Sequence, residues 1–529
     1  MRAATSRAIT IAALCLADAT PAIAQAPAVE ERSAVQLAAD LAAGRTTSEK
    51  LVAAYRARIA AIDRAGPRLR SVIALNPQAA AQARALDAER RAGRVRGPLH
   101  GVPVLIKDNI ESRENATTAG SLALRDNRTG RDAPLVARLR DAGAVILGKT
   151  NLSEWANIRS TRSMSGWSAV GGLVRNPYAL DRSSCGSSSG TGAAVAASLA
   201  AIGVGTETDG SVVCPAAMNG LVGFKPTLGL VSRTHVVPIS HSQDTAGPMA
   251  RSVADAAMLL SGIAGSDPAD PATAEADRHR RDYAAGLSAE ALRGLRIGVL
   301  RPDMPAELAA RYDAALAALR AGGATLVEVK QPALQGLGDA EFLVLKTELK
   351  ADLNAYLATT PPAVKTRTLA QVIAFNEAHP REEMPFFGQE IFKDAEATGG
   401  LDDPAYRAAR ERSRRLAGAE GIDAMLRTAG ATLLVSPSYG LPWLSDVVHG
   451  DQFSGPSASE LPAVAGYPHL TVPMGLVDGL PAGLSFIGTA WTDAAVLNAG
   501  YAYEQRAQAR VRPGCSASIA NGEGPNRRR

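Results

Sequence analysis

RSSCGSSSGTGAAVAASLAAIGVGTETDGSVVCPA, residues 182–216, decides how the rest of the 529-residue chain is read. Two clusters of glycine and serine flank a run of small apolar residues. That run, Ala193 to Ala201, predicts a short helix packed closely against neighbours on every side. Each end of the helix then carries a serine-bearing turn, and the glycines in both turns leave backbone N–H groups free to face a ligand. A flexible Ser/Gly linker would not alternate with apolar runs such as AVAASLAAIGV.

Upstream, the pattern is helical from Ser33 to Ala65, with Ser48 as N-cap and Gly66-Pro67 as the stop. SVIALN (71–76) reads as a buried strand, followed by a helix from Pro77 to about Arg94. GPLHGVPVLIKDN (97–109) is a turn running into a strand that delivers Lys107 at its end. Downstream, a helix at 252–265 closes a first block. RIGVLR, the helix 305–321 and TLVEVK then restart the alternation. Residues 339–430 read as helices without strands, and ATLLVSP, HLTVPMG and AGLSFIG return as late strands. The fold class expected is α/β: a central mixed sheet covered by helices on both faces, with a mainly helical insertion forming one wall of a cleft.

The composition fits a globular protein whose core relies on aliphatic packing, with 46% hydrophobic residues and only 4% aromatic ones. MRAATSRAITIAALCLADATPAIA (1–24) has a basic start, an apolar run and an Ala-Ile-Ala site, the pattern of a cleaved secretory signal. Its removal takes the net charge from +5 to +4. No later stretch offers the ~20 apolar residues needed to cross a bilayer, so no membrane association is expected after cleavage. Basic residues are scattered without interleaved aromatics, which argues against nucleic acid as a partner. The tail, 511–529, is rich in Gly, Ser, Asn and Arg and is expected to be disordered.

Three cysteines follow the leader: Cys185, Cys214 and Cys515. The first two flank the serine clusters, and the sequence does not decide whether they pair. The seven histidines show no H-x-x-x-H spacing and there is no C-x-x-C, so neither metal nor cofactor is expected.

Two short patterns mislead. GAVILGKT (143–150) matches a phosphate loop, but Ala144 to Leu147 look like a strand where a cradle needs a loop. GSSSG (186–190) matches a nucleophile elbow centred on Ser188, yet its lead-in RNPYALDRSSC is polar and loop-like rather than a strand. Nor does the sequence single out a triad histidine, so a nucleophilic serine must find another base.

Lys107 in VPVLIKDN, Ser187 in CGSSSGTG and Ser211 in GTETDGSVVCPA lie 80 and 24 residues apart. In residues and spacing they resemble the amidase signature family, and the resemblance covers at least Pro98 to Ala257. TNLSEWAN, SGWSA, PISHSQDTAGPMARSVADAA, FNEAHPREE and AYAYEQR extend it, towards an exported branch of the family that hydrolyses peptide amides. Two positions depart from the commonest pattern: Ser189 and Asp209 stand where glycine is usual.

The resemblance implies a Ser211 nucleophile, a Ser187 relay and a Lys107 base, with the backbone N–H groups of Thr208, Asp209, Gly210 and Ser211 as oxyanion donors. It places Trp155 and Ala156 at the substrate cleft. The chemistry is coherent, because a lysine can act as base only when neutral, and burial at a strand end depresses its pKa. The activity implied is hydrolysis of a peptide C-terminal carboxamide to the acid and ammonia. An amidotransferase A-type subunit, an amidase of other small amides or esters, and a non-catalytic exported peptide-binding protein are the alternatives. Residues 25–510 are expected to form one amidase domain, with the core signature at about 98–257, the insertion at about 339–430 and a monomeric state.

Overall fold

A computed structural model describes residues 28–519. The leader expected at 1–24 therefore lies outside the described residues. The strands in chain order are β1 (Val72–Leu75), β2 (Pro103–Lys107), β3 (Val145–Thr150), β4 (Ile202–Glu207), β5 (Val222–Lys225) and β6 (Thr245–Ala250), then β7 (Arg296–Leu300), β8 (Thr325–Val329), β9 (Leu433–Pro437), β10 (His469–Val477) and β11 (Leu480–Ile487). All eleven join one sheet in the order β1-β3-β2-β4-β6-β5-β10-β11-β9-β7-β8.

The sheet is mixed. β3, β2 and β4 run parallel, β9, β7 and β8 form a second parallel group, and antiparallel pairs connect the two. Helices flank the sheet, as the alternation of strand and helix requires. β2, β3 and β4 are buried along their whole length, which suits the apolar residues Val104 to Ile106, Val145 to Leu147, Ile202 and Val204. Their C-terminal ends lie on one edge of the sheet, where open parallel sheets place their ligands. Lys107 ends β2 there, and the turn after β4 carries Ser211.

Between β8 and β9 every regular element of the described chain is a helix, from Leu337–Ala358 to Asp423–Ala429. Among the described residues no helix is long and apolar enough to cross a membrane.

Three expectations need correction. The central helix spans Ser189–Ala196, not Ala193 to Ala201. Ser198 adopts a left-handed conformation (φ 57°) and Leu199 N–H returns to Ala194 O at 2.8 Å, so the Ala-rich continuation becomes a turn into β4. Helix Ser48–Arg58 is capped one residue earlier than expected, by Thr47, whose hydroxyl accepts from Lys50 N–H at 3.2 Å.

The tail is not disordered over 511–519: Cys515 N–H donates to Pro177 O (2.8 Å) and Leu180 N–H to Ser516 O (2.9 Å). Backbone pairing, which composition does not report, holds this segment. The remainder of the expected tail lies outside the described residues.

Candidate active site

Lys107 is fully buried. Its Nζ lies 2.7 Å from Ser187 Oγ, 2.8 Å from Thr206 Oγ1 and 3.2 Å from Thr206 O. Burial pushes its pKa from an ordinary 10.5 down to about 7, against the opposing pull of the Asp244 and Glu207 carboxylates. The neutral amine has two N–H donors and one lone pair. With both donors used on Thr206, the lone pair is left for the Ser187 hydroxyl. Asn109 Nδ2 donates to Thr206 Oγ1 at 2.9 Å and fixes that hydroxyl in turn.

Ser187 follows a cis peptide after Gly186, and its carbonyl accepts from Ser153 N–H at 3.0 Å. The adjacent Ser188 N–H donates to Ser211 O at 3.1 Å, so the two serine turns lie back to back. Ser188, centre of the elbow-like pattern, is occupied elsewhere: its hydroxyl donates to Thr206 O at 3.1 Å.

Ser211 sits in a turn held from several directions. Glu207, at the end of β4, accepts from Val212 N–H (2.7 Å) and Val213 N–H (3.0 Å), spanning the turn like a clasp. Its carboxyl is raised by burial and partly restored by Lys225, whose own pKa burial lowers to about 8. Thr208 donates its hydroxyl to Asp244 at 2.6 Å, and Asp244 also accepts from Ile239 N–H and Ser240 N–H. Gly210 has φ 78°, and a Cβ there would meet the Tyr439 hydroxyl at 2.0 Å, so only glycine fits. Among the described residues, the N–H groups of Thr208, Asp209, Gly210 and Ser211 donate to no acceptor. The Asp209 side chain is the exposed one of the four.

Cys185 and Cys214, left open by the sequence, form a disulfide that joins the Ser187 loop to the helix after Ser211. Cys515 is free. Trp155 and Ala156 both adopt left-handed backbone conformations. The Trp155 ring, 3% exposed, packs edge-on to Phe392 of the insertion at 5.8 Å, and Ala156 is the more exposed of the two. Lys149 of the phosphate-loop pattern lies inside β3, buried and paired with Asp108 at 3.0 Å, which removes it from any nucleotide.

Sequence reasoning missed Thr206, Glu207 and Asp244. Only one signal existed, an acidic residue closing an apolar strand just before an uncapped helix start. His241, Glu348 and Asp352 also come together, each offering a possible metal ligand. However, both imidazole nitrogens face carboxylates, Asp352 at 2.9 Å and Glu348 at 3.2 Å, and Glu348 accepts further from Ser240, Ser242 and Tyr406. That arrangement fits a protonated imidazole between two acids.

The family model for amidases matches residues 50–497. The chain belongs to the amidase family. This amidase is 38% identical over 484 residues to a probable amidase of Arabidopsis thaliana, covering 89% of this chain and 88% of that one. It is 35% identical over 497 residues to a glutamyl-tRNA(Gln) amidotransferase subunit from Halorhodospira halophila, covering 90% and 97%. The solved structure of the native peptide amidase from Stenotrophomonas maltophilia matches with a TM-score of 0.88 at 54% identity, covering 92% of this chain and 98% of that one. The amidase is thus an amide hydrolase built on the fold of its family.

Proposed function

We propose that this amidase hydrolyses the C-terminal carboxamide of short peptides to the free acid and ammonia, through an acyl-enzyme on Ser211. The contact that carries this reading is the 2.7 Å hydrogen bond between buried Lys107 Nζ and Ser187 Oγ, in a loop backed directly onto the Ser211 turn. The 54% identity to a peptide amidase supports the choice of substrate.

In this mechanism neutral Lys107 takes the Ser187 proton while Ser187 takes that of Ser211. The Ser211 Oγ–carbon bond forms and the carbonyl π pair moves onto oxygen, facing the free N–H groups of residues 208–211. One such donor is worth about 3–4 kcal/mol of barrier. The proton held by Lys107 then passes through Ser187 to the substrate nitrogen as the C–N bond breaks and ammonia leaves. Water attacks the ester by the same relay, giving the acid and restoring Ser211.

Export is part of the proposal. It is supported by the leader pattern at 1–24 and by the Cys185–Cys214 disulfide, which suits an oxidising compartment. A monomer is the working oligomeric state. The amidotransferase relatives favour a second reading, in which glutamine is the ammonia source for a partner. Purified protein is to be incubated with amidated peptides and, separately, with glutamine. Ammonia and peptide acid from the peptides, absent in Ser211→Ala, are the expected result. Release from glutamine alone would favour the second reading.

A further inference from the structure

The mechanism makes no use of the loop that packs against the Ser211 turn. The Tyr439 hydroxyl, pressed against Gly210, hydrogen-bonds Ser459 Oγ at 2.5 Å. The Tyr439 ring meets Phe453 edge-on with centroids 5.9 Å apart, and Phe453 meets Trp443 at 5.8 Å. Tyr439 and Trp443 are buried in one cluster with the disulfide, whereas Phe453 is 44% exposed. Contiguous ring contacts therefore lead from the nucleophile turn out to solvent.

Leu444, Val447 and Val448 are exposed on the same loop, so four of the nine exposed large hydrophobic side chains among the described residues fall within ten positions. A concentration of this kind marks a binding surface rather than scattered surface apolarity. The loop is also firmly held. Asp451 accepts from Ser165 N–H and from Trp443 Nε1, both at 3.0 Å, and Ser445 N–H donates to Asp181 O at 3.0 Å. A tethered apolar rim is preorganised for a ligand.

We propose that Phe453, backed by Tyr439 and Trp443, is a specificity-determining residue: it forms a subsite for a bulky apolar side chain of the substrate. This rests on the peptide-amide reading. Because ammonia is the leaving group there, every substrate side chain lies on the acyl side, so the rim can only meet the acyl part. Adding the 5.9 Å ring spacing to the length of a tyrosine side-chain ring and its hydroxyl contact places the Phe453 centroid within roughly 12 Å of Gly210. At about 3.3–3.6 Å per extended residue, that distance corresponds to the second or third residue from the scissile carboxamide.

The test compares wild type, Phe453→Leu and Phe453→Ala on N-acetyl tripeptide amides carrying Phe, Leu, Ala or Ser at the second and third residues from the amide. Wild type is expected to favour Phe or Leu over Ser by about tenfold in kcat/KM, mostly through KM, as partial burial of such a side chain supplies. Phe453→Ala should flatten the preference to within about threefold, while Phe453→Leu keeps most of it. An N-acetyl amino-acid amide, too short to reach the rim, reports any change in the turn itself, and reading each tripeptide rate relative to it separates loss of the subsite from misfolding or a disturbed turn.

An unchanged side-chain preference in Phe453→Ala, or none in wild type, overturns the subsite. If no peptide amide releases ammonia, the peptide reading fails separately. The three proteins are then compared on primary amides of lengthening alkyl chain. A gain with length in wild type that is lost in Phe453→Ala supports the subsite, and no gain refutes it.

Discussion

The pH dependence of turnover tests the proposed mechanism at its base. Lys107 has no acidic partner in contact. Its three neighbours are neutral oxygens, and burial outweighs the distant carboxylates of Asp244 and Glu207. The fall from 10.5 to about 7 corresponds to about 5 kcal/mol at ~1.4 kcal/mol per tenfold change in protonation. At pH 7 about half of the enzyme then carries a neutral amine, against roughly one molecule in 3,000 for an unperturbed lysine. Burial alone thus raises the competent population by about three orders of magnitude. Since the base acts deprotonated, kcat/KM is expected to rise tenfold per pH unit on the acid side, bend near pH 7, and reach a plateau above about pH 8. At pH 5 roughly 1% of the plateau should remain. Ammonia release from one peptide amide, followed from pH 5 to 9, gives the profile. Lys107→Arg keeps the positive charge but cannot deprotonate, so it should be inactive at every pH tested. A profile that is flat from pH 5 to 9, or a Lys107→Arg enzyme within tenfold of wild type, would refute a lysine base.

Other perturbations separate the contacts that hold the site. Ser211→Ala should lower kcat by at least about 10³-fold and abolish labelling by an acylating probe seen by intact mass; retained label moves the nucleophile elsewhere. Breaking the disulfide with Cys185→Ser and Cys214→Ser, which opens a loop with a sequence separation of 29, should cost up to about 3–4 kcal/mol in urea unfolding. No change in the urea midpoint would mean that the disulfide contributes nothing beyond the surrounding packing. His241 has its pKa raised by the hydrogen bond to Asp352, with Glu348 adding to this and burial and Arg410 opposing it; its carbonyl also accepts from Arg233. A raised folded-state pKa stabilises fully below the unfolded value near 6.5, and the contribution fades as pH climbs through the folded value. The Tm difference between wild type and His241→Gln should therefore be widest near pH 5–6 and narrow in alkali. A gap independent of pH would exclude a charged imidazole.

The parts of this fold legible in the sequence were those written in local periodicity. β2 and β3 announced themselves as the apolar runs VPVLI and AVIL because both faces are covered, and residues 339–430 read as helices without strands. Lys107, Ser187 and Ser211 were singled out through the family resemblance, and the structure brings Lys107 Nζ to 2.7 Å from Ser187 Oγ. What stayed hidden depends on proximity in three dimensions. Whether Cys185 and Cys214 pair is decided by a Cα separation of 6.0 Å that no local signal encodes. The docking of 511–519 uses main-chain groups, to which composition is blind. Ser198 ends the central helix by adopting a backbone conformation that alanine neighbours gave no reason to expect.

The least legible feature is also the one that gives the insertion a purpose. Glu341, Glu348 and Asp352 lie seven and four residues apart on helix Leu337–Ala358, a spacing that puts them on one face. Glu341 accepts from Gln243 at 2.8 Å, Glu348 from Ser240 and Ser242, and Asp352 from His241, so the helix is fastened along residues 240–243. The next residue, Asp244, holds Thr208. The insertion therefore reaches the Ser211 turn through a chain of hydrogen bonds, while Glu207 clasps the same turn and the disulfide and Tyr439 hold it from the side. Stabilising a developing oxyanion with backbone donors is effective only if those donors need no reorientation during reaction. A turn bearing Gly210 would be mobile if left alone, and its fixation from three sides holds its unused N–H groups ready for the oxyanion that the proposed mechanism requires.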